Sequence, residues 1–381
     1  MSGPLSGLRV VEMSGIGPGP FCAMLFADLG AEVIRVRRPG STIFRTDPRF
    51  DVTGRGCRIV DLDLHEEGAV EAVLQLVEKA EVLIEGYRPN VMERLGLGPD
   101  VCLKRNPRLV YGRMTGWGQD GPLAARAGHD INYIGLTGVL HAIGRPDTPP
   151  PPPLNLIGDF GGGAMFLAFG VLAALLEARA SGTGQVVDAA MTDGVALLAA
   201  ARYVGRASGR QTNKRADNML DGAAPFYDTY ACSDGKFIAL GAIEPQFYAR
   251  LCDICALRDP LFEEQMNRDK WPAQKQALTA MFRTKTRDEW VELLGADDTC
   301  VTPVLDWDEA MHEAHNVARK TFVNVDGVTQ PAPAPRFSRT PSAVPRPPHL
   351  SGTDASEILQ KWGLSETTIR RLMGKMAKRP A

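Results

Sequence analysis

Long apolar runs are scarce in this 381-residue chain, and the run Ala164–Leu176 stops at thirteen residues. A bilayer-spanning helix needs about 20, so this run predicts a buried core helix and no membrane partner. Cysteine is sparse too. Seven cysteines, odd in number and scattered, argue for reduced thiols rather than a disulfide framework. Cys252 and Cys255 form a CxxC with no second pair, which reads as two small apolar residues on one helix face and leaves no metal site. Neither charge sign dominates: Lys plus Arg is 43, Asp plus Glu is 45, and the net charge is −2. Nothing in that balance suggests a nucleic-acid or membrane-surface partner, and none is expected. No G-x-S-x-G elbow and no P-loop occurs, so serine-hydrolase and nucleotide-hydrolase readings lack support. Gly15, Gly17 and Gly19 resemble a dinucleotide loop, but the third glycine of that pattern falls on Pro20. Leu8 enters a strand at once, leaving no room for a leader peptide, and the expected compartment is cytoplasmic.

What is present is an alternation of strands and helices. LRVVEM, a glycine-proline loop from Ser14 to Pro20, FCAMLFADLG and AEVIRV read as β-α-β. Strands follow at 81–85 and 108–114, with helical spacing of Val70, Val73, Leu74 and Val77 between them. This order predicts an α/β fold with a parallel sheet, whose ligands gather beyond the strand C-termini. Arg38, Tyr87, Arg88 and Thr115–Gly118 stand in those loops. Six prolines in 146–153 form a stiff connection. A polar stretch at 202–215 predicts a linker, and a hairpin around Ser233-Asp-Gly235 opens a second domain. The tail from Thr353 to Lys378 reads as one or two helices, broken at Gly363, with Ser365 capping the second. The resulting division is a large α/β domain at 1–200 completed by 325–381, a linker at 201–220, and a small α+β domain at 221–324.

Asn155–Gly184 organises the chain. Asp159 is the only charge in its polar approach, Gly161–Gly163 follow, and the apolar helix then runs to a glycine cap at Gly182. A helix apolar all round must be buried all round, and an acid at its N-terminus meets backbone N–H groups and the helix dipole. Asp159 is therefore either a helix cap or a carboxylate placed for chemistry. Of six histidines, His129 sits in the polar segment GHDINY. His65, His312 and His315 lie on helices and His349 in the proline-rich tail, which leaves His141 as the other histidine unassigned. Glu244 stands where a strand ends and a helix begins, and a first-turn acid is its simplest reading. Met191, Met219 and Leu220 are either ordinary core or neighbours of an apolar substrate.

AGHDINY, PPLNL-x-x-DFGGG, NMLDG-x-APFYDTY, GAIEPQFY and CVTPVL resemble the α-methylacyl-CoA racemases, within the family III CoA-transferase fold, and the resemblance runs almost end to end. It implies a Rossmann-like large domain, a smaller α+β domain and an interlocked homodimer. It implies that His129 and Asp159 are the two acid/bases and that Glu244 supports His129. CoA contacts are implied at Arg38, Leu62, Asp63, Leu64, His65, Gly86, Tyr87, Arg88, Arg94, Gly128, Asp130, Ile131, Asn132 and Tyr133. The family often has Lys where this chain has His65. CoA enters as part of an acyl-CoA thioester substrate, with no separate cofactor. Branched fatty acids, bile-acid precursors and aryl-propionyl thioesters share the reacting centre.

The chemistry of such a reaction agrees with the residue types. Inverting a carbon beside a thioester takes its proton from one face and returns one to the other, with two acid/base groups on opposite sides. Burial raises an Asp and a nearby carboxylate raises a His, which brings the two closer. The enolate oxygen needs preorganised donors, for which backbone N–H groups at the helix start after Asp159 are candidates. The rival within the family is a CoA-transferase with Asp159 as nucleophile, which gives His129 and Glu244 no clear task. A non-catalytic acyl-CoA-binding protein would use the arginines but not opposed acid/bases.

Overall fold

A computed structural model describes residues 2–40, 47–348 and 353–370. Six strands, β1 (Arg9–Met13), β2 (Glu32–Arg37), β3 (Arg58–Asp61), β4 (Val82–Glu85), β5 (Val110–Thr115) and β6 (Val186–Ala190), form one sheet in the order β3-β2-β1-β4-β5-β6. Every pairing in it is parallel. Residues of β4 and β5 are buried throughout, as a parallel sheet covered on both faces requires. One face packs α2 (Ala69–Val77) with Ile358, Leu359 and Trp362 of the C-terminal segment. The other packs α1 (Pro18–Asp28) with the long helix after Asp159. Strand order reverses between β1 and β4, so the binding crevice lies beyond their C-terminal ends.

Shorter helices α3 (Val91–Arg94), α4 (Pro99–Arg105) and α5 (Asp130–Leu136) precede the long helix. That helix has two parts. Leu156–Ala164 is π-helical and continues as α6, Met165–Ser181, which ends at Gly182 in the left-handed conformation. The helix therefore starts before Asp159. Together the two parts span 26 residues, whose most apolar 18-residue window has mean hydropathy 1.8 and is 44% buried, long and apolar enough to cross a membrane by length and composition. The thirteen-residue reading was too short because it left out the π-helical turns. Nor is the helix buried all round. Leu167, Val171, Leu175 and Ala178 face the core, while Met165, Phe169 and Leu176 are 52%, 71% and 69% exposed.

Contacts divide the chain into two compact units, Met1–Thr137 with Pro153–Leu198 and Arg319–Ala381, and Gly138–Pro152 with Ala199–Ala318. Residues 138–152 thus belong with the second unit rather than with the domain assigned to 1–200. The reason is ionic and local: Arg145 pairs with Asp228 at 2.9 Å, and the Arg215 guanidinium donates to the carbonyl of Arg145 at 3.1 Å. Part of the expected linker is helical, at Ala200–Ala207. Within the second unit Tyr227–Ala231, Phe237–Gly241 and Val301–Val304 form an antiparallel sheet. Helices pack Phe226, Trp271, Phe282 and Trp290 beneath it, and Cys252 and Cys255 join that core as free thiols. In the tail, helix Thr353–Lys361 stops before Gly363, and the Ser365 hydroxyl accepts the Thr368 N–H at 3.1 Å. His349 and Lys378 lie outside the described residues.

Candidate active site

The loop after β1 sets the first wall. It runs Ser14-Gly-Ile-Gly17 before α1 opens on Pro18, a residue suited to the first helical turn. Gly17 has φ 70°, and a Cβ placed there would stand 3.0 Å from Asp159 Oδ2. Both constraints demand glycine. The Asp159 carboxylate therefore presses against this loop at the switch point of the sheet.

Asp159 lies in the first turn of the π-helix, half-buried, where Asn155 Nδ2 donates to its Oδ2 at 3.1 Å. Burial holds its carboxyl above the usual range, opposed by the Asn155 hydrogen bond; the Asp130 charge raises it further, and His129 opposes. π-Helical turns widen the backbone spiral and recur at functional sites. Here the turn places a carboxylate and three glycines together. Gly162 and Gly163 are packed too tightly to carry side chains, against Val195, and against Met191 and Pro18 respectively. Met191 is thus core rather than a neighbour of the acyl chain.

His129 precedes α5 as its N-cap residue and is exposed. Its backbone is fixed from both sides: its N–H donates to Asn132 Oδ1 at 3.0 Å, and its carbonyl accepts the Asn132 N–H at 2.8 Å. The Tyr133 hydroxyl donates to the Gly128 carbonyl. Its ring meets Trp117 edge-on at 4.7 Å, and any Cβ on Gly116 would fall 2.1 Å from it. Asn132 and Tyr133, expected as CoA contacts, hold the histidine in place.

Asp130 links the segments that carry His129 and Asp159. Next in sequence to His129, it is buried, and its Oδ2 accepts the N–H of Gly158 at 2.6 Å and of Asp159 at 2.8 Å. Two carboxylates are thereby held near one another by backbone donors, one buried and one facing the crevice. The Gly158 and Asp159 N–H groups thus serve Asp130, and the N–H groups expected for an enolate oxygen are those that follow Asp159. Asp130 was expected to touch CoA. Its clamp is visible only in three dimensions, because nothing in the sequence marks a 28-residue separation.

The remaining expected CoA contacts fall at strand ends around the crevice. Arg38 follows β2 and is exposed. After β3, Leu62 is buried with its N–H on the Arg37 carbonyl, Leu64 packs against the core, and Asp63 accepts the N–H of exposed His65 at 3.1 Å. Gly86 and Arg88 are exposed after β4, with half-buried Tyr87 between them, and Arg94 is exposed at the end of α3. Gly128 leads into His129, and Ile131 exposes 42% of its surface on α5. Glu244 belongs to the second unit, as the exposed N-cap residue of helix Pro245–Ile254, yet its side chain makes no capping bond. It is not there to cap that helix. Met219 is half-buried against the second unit's core, and Leu220 is 37% exposed.

The family described as CoA-transferase family III matches residues 5–355. The chain belongs to that family. It is 44% identical over 373 residues to mouse alpha-methylacyl-CoA racemase, covering 97% of this chain and 96% of the mouse protein. Identity to the human alpha-methylacyl-CoA racemase is 43% over 374 residues, with the same coverage. The crystal structure of a CAIB/BAIF family protein from Brucella suis superimposes with a TM-score of 0.81 at 26% identity, covering 95% of this chain and all of that one.

Proposed function

We propose that this protein interconverts (2R)- and (2S)-2-methylacyl-CoA thioesters. The observation that supports the reading is the clamp from Asp130, the neighbour of His129 in sequence, to the N–H groups of Gly158 and Asp159. The identity to the mouse and human racemases supports the substrate class. One of the pair removes the α-proton and an enolate forms. The other returns a proton to the opposite face. A raised Asp159 carboxyl suits this role, because it brings the carboxylate closer to imidazole in basicity. CoA enters with the substrate, and Arg38, Arg88 and Arg94 are the phosphate-binding candidates, since guanidinium forks onto phosphate oxygens. Glu244 is assigned to support His129 on the resemblance.

A second copy of this chain is the proposed partner. The exposed Met165, Phe169 and Leu176 of α6 form an apolar face on a helix whose Leu167, Val171 and Leu175 pack in the core. Contiguous apolar surface of this kind marks interaction sites, and an interlocked homodimer is what the resemblance implies.

The test for reaction class is acceptor dependence. The reading expects no CoA transfer to a free carboxylic acid, and epimerisation without one. Transfer that requires the acid, with the α-proton retained, would make Asp159 a nucleophile and this chain a transferase.

The Asp130 charge raises the Asp159 carboxyl, so Asp130→Asn should lower it. The working pair carries one proton, and acid inactivates it by protonating Asp159. The acid limb of the kcat–pH profile should therefore move to lower pH. A limb that stays or rises would show that Asp130 does not set this carboxyl.

A further inference from the structure

We infer that Tyr87 is a positioning residue that ties the turn after β4 to the loop pressed against Asp159. The inference rests on the racemase reading. Glu85, the last residue of β4, is fully buried, and its Oε2 accepts the Tyr87 N–H at 2.7 Å. Its Oε1 accepts Arg113 Nε at 2.8 Å, and Arg113 Nη1 reaches Glu93 Oε1 at 2.7 Å, beside Arg94. The turn 86–94 is thus anchored at both ends by one ionic network, buried at Glu85 and Arg113 and exposed at Glu93. Such networks fix geometry when every member is bonded. The Tyr87 hydroxyl then crosses the switch point and donates to the Ser14 carbonyl at 3.1 Å. Three residues on, Gly17 sits against Asp159 Oδ2.

The path is continuous: CoA-side turn, Tyr87, Ser14, Gly17, Asp159. The hydroxyl proton is spent on Ser14, so it is not free for CoA. Holding the loop still keeps the Asp159 carboxylate desolvated and aimed, and small misplacements of a catalytic group are costly in rate.

The test is Tyr87→Phe in the full-length protein, which keeps the ring and removes the bond. kcat and KM are measured with each epimer of a 2-methylacyl-CoA, and deuterium uptake is followed from each. The expected result is a fall in kcat of about tenfold with KM nearly unchanged. Uptake should slow most from the epimer whose exchange Asp159→Ala abolishes. Gly17→Ala, which crowds Asp159 directly, should show the same bias and guards against a folding defect in the first variant. A raised KM at unchanged kcat would assign the hydroxyl to CoA and overturn the inference. Unchanged constants, or equal loss from both epimers, would overturn it too. A wild-type protein that exchanges no α-proton would remove the racemase reading and this inference with it.

Discussion

Asp159→Ala should lower the racemisation kcat by about 10²–10⁴-fold, the usual worth of a positioned acid/base. The loss should be lopsided. His129 remains, so the epimer whose proton faces it should still exchange that proton with solvent, without inverting. The other epimer should exchange with neither. Deuterium uptake measured separately from (2R) and (2S) substrates checks this. We hypothesise that the (2S) substrate gives its proton to His129, so (2R) uptake is the one expected to vanish. Equal loss from both epimers would contradict the division of labour. Misfolding is not the expected cause, because the Asp159 side chain is only half-buried and accepts from Asn155 rather than from a helix N–H.

Arg55→Ala should cost about 3–5 kcal/mol of stability, the usual penalty for orphaning one half of a buried ion pair. Arg55 and Asp28 are 4% and 3% exposed. Arg55 Nε meets Asp28 Oδ1 at 3.0 Å, and Nη1 donates to Gln330 Oε1 at 2.9 Å and to the Pro331 carbonyl at 2.7 Å. One guanidinium therefore joins the end of α1 to the strand pair Phe322–Val325 and Val328–Pro331. Burial already pushes the Asp28 carboxyl up, with Arg55 opposing. Without Arg55 the folded state would bind more protons than the unfolded state. The deficit should therefore shrink in acid, below about pH 4, and grow as pH rises through the carboxylate range. Denaturation midpoints at several pH values check this, and a deficit independent of pH would contradict it. Replacing both partners, with Asp28→Leu and Arg55→Met, should recover much of the loss.

The sheet was legible because a buried parallel strand writes itself as a short apolar run between helices with 3.6 periodicity. Gly182 is legible as a helix cap, whereas the closeness of Gly17 to Asp159 exists only in the folded chain. His129 and Asp159 stand out because the one lies in a glycine-led polar segment and the other is the only charge before three glycines. The π-helix was not legible. Its i→i+5 spacing leaves no periodic mark over nine residues, so the sequence pattern starts the helix after Asp159 rather than at Leu156. The Asp130 clamp and the Glu85–Arg113 pair were missed for another reason. A buried charge is usually paired, but which partner it finds depends on strand order, and neighbours β4 and β5 meet only after folding. The α6 face misled in the opposite direction. An all-apolar pattern does not distinguish packing within the chain from packing against a second chain.

One measurement bears most directly on the central claim. A single (2R)-2-methylacyl-CoA is incubated with the protein in deuterated buffer without any acceptor, and its α-proton is followed by proton NMR. Loss of that signal together with appearance of the (2S) epimer is the expected result. Full retention of the α-proton and of configuration would contradict it.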